Sequence, residues 1–96
     1  MNVIIVGAGK VGYTLAQYLS IDGDNITIID KKDCALEHVN NNLDVMCVKG
    51  NATSLKVLEE AGVREADLLI SVTDSDELNM LCSLAAKKLG ARSEEH

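Results

Sequence analysis

Four short β-branched runs, at residues 3–6, 26–29, 45–48 and 68–72, alternate with longer segments of helical spacing. This alternation limits the chain to few folds. The runs are continuously apolar rather than strictly alternating, as expected of strands covered on both faces. Strands of that kind, each followed by a helix, form a parallel sheet with helices on its two sides. With right-handed crossovers, the expected fold class is α/β, a Rossmann-like doubly wound parallel sheet with strand order 3-2-1-4. Between the strands, Val11, Leu15, Tyr18 and Leu19 form one helical stripe, and Leu36, Val39 and Leu43 form a second. A third helix, at residues 54–61, stops at Gly62. The fourth carries Leu78, Leu81, Cys82, Ala85 and Leu89 before Gly90. Asp74 and Glu77 have the spacing of a capping pair for that last helix.

A chain of 96 residues, 47% of them apolar, can bury one domain's core without metal or disulfide support. Its formal net charge of −6 argues against nucleic acid and anionic membrane surfaces as direct partners. No apolar run approaches the roughly 20 residues that span a bilayer, and the first residues lack a signal-type pattern. The expected location is cytoplasmic, without membrane insertion. Cys34, Cys47 and Cys82 fall on apolar patterns and are read as buried small hydrophobes rather than metal or redox ligands.

Chemistry concentrates at the ends of the runs. Gly7, Gly9 and Gly12 form a G-x-G-x-x-G pattern between the first run and the first helix. There Gly7 makes the tight turn, Gly9 lets the backbone approach a pyrophosphate, and Gly12 lets helix and strand pack closely. Helix N-terminal amides then face the phosphates. Lys10 serves either as a phosphate contact or as a solvated lysine. Asp30 ends the second run 21 residues after Gly9. That is close to the ~20 expected of an acid that accepts from ribose hydroxyls. Its carboxylate disfavours the extra phosphate of NADP, although Lys31 and Lys32 weaken that exclusion; otherwise "DKKD" is a solvated turn. Gly50 and Asn51 follow the third run, where Asn51 either pairs with an adenine edge or makes ordinary turn chemistry. In the 3-2-1-4 order, Thr73 and Asp74 fall at the switch point where ligands bind, and helix capping explains Asp74 equally well. Neither of the two aromatic residues, Tyr13 and Tyr18, offers a platform for adenine, so aliphatic side chains would have to sandwich it.

Beyond the glycine pattern, "ITIIDKK" and "VKGNATSLKVLEEAGVREADLLISVTDSDELNMLCSLAAKKLGA" resemble the N-terminal nucleotide-binding subdomain of RCK (or KTN) domains. Within that family, the resemblance is greatest to the TrkA-type regulatory proteins of potassium uptake. G-[DN]-A-[ST] combined with V-T-D-x-D-E-x-N carries it, and it extends to about Ala91. The resemblance implies a non-enzymatic regulatory domain that binds NAD(H) or ATP/ADP. It also implies assembly as a homo-oligomer, a dimer or tetramer, and gating of a membrane K+ transporter or channel from the inner face of the cell membrane. By position, Gly7, Gly9, Lys10, Val11 and Gly12 would form the phosphate loop, and Asp30 and Lys31 the ribose edge. Asn51, where the family commonly has Asp, and Ala52 would take the adenine side, and Thr73 the ribose–phosphate side of the fourth strand.

Two other functions fit the residues. One is the cofactor half of an NAD-dependent oxidoreductase, against which stand the lack of a substrate domain and the remote place of His38. The other is a Rossmann domain kept for assembly alone, against which stand the glycines and Asp30. The nucleotide-binding domain is expected over residues 1–91. Residues 92–96 are expected to be a truncated tail or cloning remnant outside the sheet, which would leave the fourth strand as an open apolar edge able to pair with another copy.

Overall fold

The computed structural model describes residues 1–95. Its elements run β1 (Asn2–Val6), α1 (Lys10–Ile21), β2 (Asn25–Asp30), α2 (Asp33–Asn42), β3 (Met46–Lys49), α3 (Leu55–Glu60), a 3-10 turn (Val63–Glu65), β4 (Leu68–Ser71), α4 (Asp76–Lys88) and β5 (Arg92–Glu95). The strands form one parallel sheet in the order β3-β2-β1-β4-β5. β1 is central, with Val3 opposite Ile26 on one side and Leu68 on the other.

The period-2 geometry of a strand sends alternate side chains to opposite faces. Val3, Ile5, Ile26 and Ile28 pack on one face with Ala16 of α1 and Leu36 and Val39 of α2. Ile4, Val6, Ile29 and Leu69 pack on the other with Leu58 of α3 and Cys82 and Ala86 of α4. Two cores result, one under each helical layer, and together they require continuous apolar runs in the strands.

The 3-2-1-4 order stands as expected, and the sheet does not end there. Residues 92–95 form β5, so the expectation of truncation before a fifth strand, with 92–96 outside the fold, is corrected, while His96 lies outside the described residues. The cause lies at the end of α4. Gly90 takes a left-handed φ of 102°, its N–H bonds to Lys87 O, and the Ala91 N–H reaches back to Ala86 O. This Schellman arrangement reverses the chain. Ala91 then packs into the core, and Leu68 meets Arg92. β4 is therefore a paired inner strand and not the open edge expected.

The stripe of Leu36, Val39 and Leu43 packs on the core as expected, as do Leu15 and Leu19, but α1 and α4 differ from the expected stripes at single positions. In α1 the buried positions are Gly12 and Ala16, whereas Val11 and Tyr18 are exposed. The glycine loop brings α1 so close to the sheet that small residues take the positions of closest approach, with Leu15 and Leu19 packed beside them. In α4, Leu81 is exposed, and Asn79, Cys82 and Ala86 point inward. Ser75 rather than Asp74 caps this helix, its Oγ accepting from Leu78 N at 3.1 Å. Of the three cysteines, Cys82 is buried, Cys47 is half-buried and Cys34, in the exposed first turn of α2, lies on the surface, contrary to expectation.

Candidate nucleotide-binding site

At the carboxyl ends of β1, β2 and β4, where the strand order reverses, lies a cleft of about 370 Å³. Its floor is backbone. Gly7 holds φ 110°, which a side chain at that position would strain, and its N–H donates to Ile29 O at 2.9 Å. A Cβ on Gly12 would stand 1.8 Å from Gly7 O, so this glycine is demanded by the approach of α1 to the loop. Gly9 differs from both. Its backbone (φ −73°, ψ −163°) is open to any residue, and a Cβ there would meet no atom within 4 Å. Neither conformation nor internal packing demands a glycine at position 9; its bare backbone simply borders the cleft.

Asp30 closes one end. Its Oδ2 accepts from Ala8 N at 2.8 Å and its Oδ1 from Lys32 N at 2.9 Å, which ties the glycine loop to the end of β2. A carboxylate offers about four lone-pair sites, so each oxygen keeps capacity for a further donor. Lys31 and Lys32 line the same end. Asn51 accepts at Oδ1 from Thr53 N (3.0 Å) and Thr53 Oγ1 (2.8 Å), the turn chemistry weighed above. Ala52 is 3% exposed and belongs largely to the core, bordering the cleft as an apolar wall with Val6, Ile29 and Ala35.

The other end is built around Asn79, which is 2% exposed. Its Nδ2 donates to Thr73 O at 3.1 Å, while its Oδ1 accepts from Thr73 N at 3.1 Å, Ser71 Oγ at 2.8 Å and Thr73 Oγ1 at 2.6 Å. One carboxamide thus grips both polar groups of the Thr73 backbone, as a neighbouring strand would. Ser75 N donates to Thr73 Oγ1 at 3.2 Å, closing the turn into α4. Thr73, Asp74, Ser75 and Leu78 line this end, and the Thr73 methyl would be 3.4 Å from a Cβ on Gly7, so this wall abuts the glycine loop.

The cleft therefore gathers Gly7, Gly9, Asp30, Lys31, Asn51, Ala52 and Thr73. Lys10, Val11 and Gly12 begin α1 outside its lining. The Lys10 side chain borders a separate groove with Tyr13, Thr14, Gln17 and His38, in which Tyr13 and His38 stack at 4.8 Å. Asn79, the last residue of the V-T-D-x-D-E-x-N motif, was given no role in the sequence reading. Its signal was a polar residue three and seven positions before Cys82 and Ala86, in step with the buried face of α4, and eight residues after Ser71. Among the described residues, no group of acidic, histidine and cysteine side chains is arranged to hold a metal ion.

A parallel sheet wound on both sides, with a glycine turn after its first strand and a carboxylate ending its second, defines a Rossmann-like domain. More narrowly, the chain belongs to the TrkA-N domain family, which matches residues 3–94. It is 47% identical over 93 residues to a Trk system potassium uptake protein TrkA homolog of Archaeoglobus fulgidus. That match takes in 97% of this chain and 21% of the relative, so the chain spans about a fifth of that protein's length. The fold is shared with the Kef C-terminal domain of Shewanella denitrificans in its AMP-bound form (TM-score 0.83, 24% identity, 99% of this chain and 58% of that one). It is also shared with the TrkA-N domain of the inner membrane protein ybaL of Escherichia coli (TM-score 0.79, 21% identity, 99% of this chain and 73% of that one).

Proposed function

We propose that this chain is the ligand-sensing domain of a cytoplasmic regulator of potassium transport, and that its cleft binds NAD(H) or an adenine nucleotide. The observation that carries the reading is Gly9, a glycine with ordinary backbone angles and no atom within 4 Å of where its Cβ would stand. A ligand lying against the loop supplies the missing demand, with its phosphates on the first amides of α1, which have no preceding carbonyl in the helix to bond. Asp30 faces the same cleft and has lone pairs left for ribose hydroxyls, while the apolar wall formed by Ile29, Ala35 and Ala52 takes the base. Lys31 and Asn51 edge the ribose and adenine positions, and Thr73 closes the far side. Lys10 and Val11 contribute through their backbone at the start of α1.

The name of the Archaeoglobus relative and the AMP-bound state of the Kef domain support this reading. The role is regulatory and non-catalytic. A nucleotide with different affinity for two arrangements of a homo-oligomer shifts the balance between them, and a K+ transporter or channel at the inner face of the membrane responds. Calorimetric titration of the protein with NADH, NAD, ATP and ADP, alongside Asp30→Ala, tests the binding step. Binding that is lost in the variant supports the ribose carboxylate; wild-type protein that binds none of the four contradicts the reading.

A further inference from the structure

The β4 end of the cleft has a polarity set from behind. Thr73 Oγ1 and Asn79 Oδ1 stand 2.6 Å apart, and an amide oxygen has no proton to give. The threonine must therefore be the donor. The amide orientation is fixed independently, because Thr73 N–H needs an acceptor and Thr73 C=O a donor, and Asn79 supplies one of each. The other acceptor near Thr73 Oγ1 is Ser75 O at 3.2 Å, within the same turn. The proton goes to the shorter of the two, the 2.6 Å bond to Asn79 Oδ1, and what Thr73 Oγ1 has left for the cleft is a lone pair. The next residue, Asp74, lines the same end of the cleft and adds a negative charge there, with Asp76 and Glu77 following in the first turn of α4. The lysines that line the cleft, Lys31 and Lys32, are at the opposite, β2 end. Ser75 is the one hydroxyl of the turn that still has a proton to offer the cleft, since its Oγ accepts from Leu78 N.

We propose that Asn79 is a specificity-determining residue: by keeping the Thr73 proton out of the cleft, it makes the β4 end an acceptor site next to a carboxylate. The group seated there is then a neutral or cationic hydrogen-bond donor, such as the hydroxyls of a second ribose, in preference to a terminal phosphate. The inference rests on the nucleotide reading above and sharpens it, selecting a dinucleotide over a nucleoside triphosphate. A terminal phosphate would find one side-chain donor there, Ser75 Oγ, against the Thr73 acceptor and the negative charge of Asp74. Asn79 itself does not touch the ligand; it acts through Thr73.

The test compares affinities for NADH, ATP and AMP in the presence of a chelator that removes divalent cations, for wild type, Asn79→Ala and Thr73→Val. Wild type is expected to favour NADH over ATP by about tenfold or more, a difference of about 1.4 kcal/mol. Asn79→Ala leaves the Thr73 proton only the longer 3.2 Å contact to Ser75 O, from which it can turn toward a phosphate in the cleft, so the NADH-to-ATP ratio should shrink several-fold. Thr73→Val keeps the shape and the backbone grip of Asn79, so it remains informative should Asn79→Ala fail to fold. It should weaken NADH several-fold and leave ATP unchanged. A purely structural role would weaken all three ligands in parallel, and that result, or a wild type that prefers ATP, overturns the proposal. AMP reports the Asp30 half alone. If AMP binds while the NADH-to-ATP ratio is unmoved by both variants, only the role of Asn79 falls; if no ligand binds wild type, the nucleotide reading falls with it.

Discussion

The two walls of the cleft are held by different means. The glycine wall, from the end of β1 into α1, is shaped by backbone: a left-handed Gly7, a Gly12 that admits the helix, and one carboxylate clamping the loop. The β4 wall is shaped by side chains: Ser71, Thr73 and Ser75 take their positions from a buried Asn79 and from each other. A wall made of main chain presents amide donors and tolerates no added atoms at its tightest point. One made of side chains has its polarity set by which hydroxyl gives its proton to which acceptor. On the nucleotide reading proposed above, the first wall would serve phosphates in general and the second would discriminate among what lies beyond them.

The largest effect should come from the backbone wall. In Gly12→Ala the new methyl collides with a carbonyl that no rotamer change can move. Overpacking of this kind typically costs up to about 3 kcal/mol, more where neighbours cannot yield, and the denaturation midpoint should fall accordingly or folding be lost. Asn79→Leu probes the other wall and leaves the Ser71 hydroxyl and both Thr73 backbone groups without their partner. With each buried unsatisfied group worth about 1–3 kcal/mol, a loss of about 3 kcal/mol in urea unfolding is expected. If Asn79→Leu were neutral, the β4 wall would not depend on its side chains and the contrast would collapse. Smaller still is Ser75→Ala, which removes the cap of α4 and should cost about 1 kcal/mol, in line with other lost N-caps. The smallest perturbation uses the native thiols. Burial pushes the Cys82 thiol upward, partly offset by Ser71, and burial also raises Cys47, whereas Cys34 is exposed. Near neutral pH Cys34 should react with a maleimide in the folded protein, Cys47 slowly, and Cys82 only when the β4–α4 region opens. Early labelling of Cys82 would show that the side-chain wall is not rigid.

This contrast also separates what could be read in the sequence from what could not. The strand order and the glycine wall were legible because continuous β-branched runs and fixed glycine spacings map directly onto backbone geometry. Asp30 was legible as a ribose-edge candidate for the same reason, although its clamp on Ala8 N was not, since a loop's path decides which amide a carboxylate meets. Asn79 was visible as the last residue of V-T-D-x-D-E-x-N, but its role was not, because its partners Ser71 and Thr73 sit on another element. Val11 and Tyr18 were assigned to the core on spacing alone, whereas the close approach of α1 puts Gly12 and Ala16 directly beneath the helix, with Leu15 and Leu19 packed at its flank. The fifth strand was missed because "ARSEE" lacks an apolar run, and the reversal at Gly90 with the anchoring of Ala91 places it beside β4.

The central claim, that the cleft holds a nucleotide against the bare backbone at position 9, is tested most directly by Gly9→Ala. The new methyl meets no atom of the described residues, and Ala for Gly at an N-cap costs under about 1 kcal/mol. The melting temperature should therefore fall by no more than about 4–8 °C, while NADH and ADP affinity should fall by about tenfold or more, equivalent to about 1.4 kcal/mol. A Gly9→Ala protein that melts like wild type and binds both ligands as tightly would contradict the account.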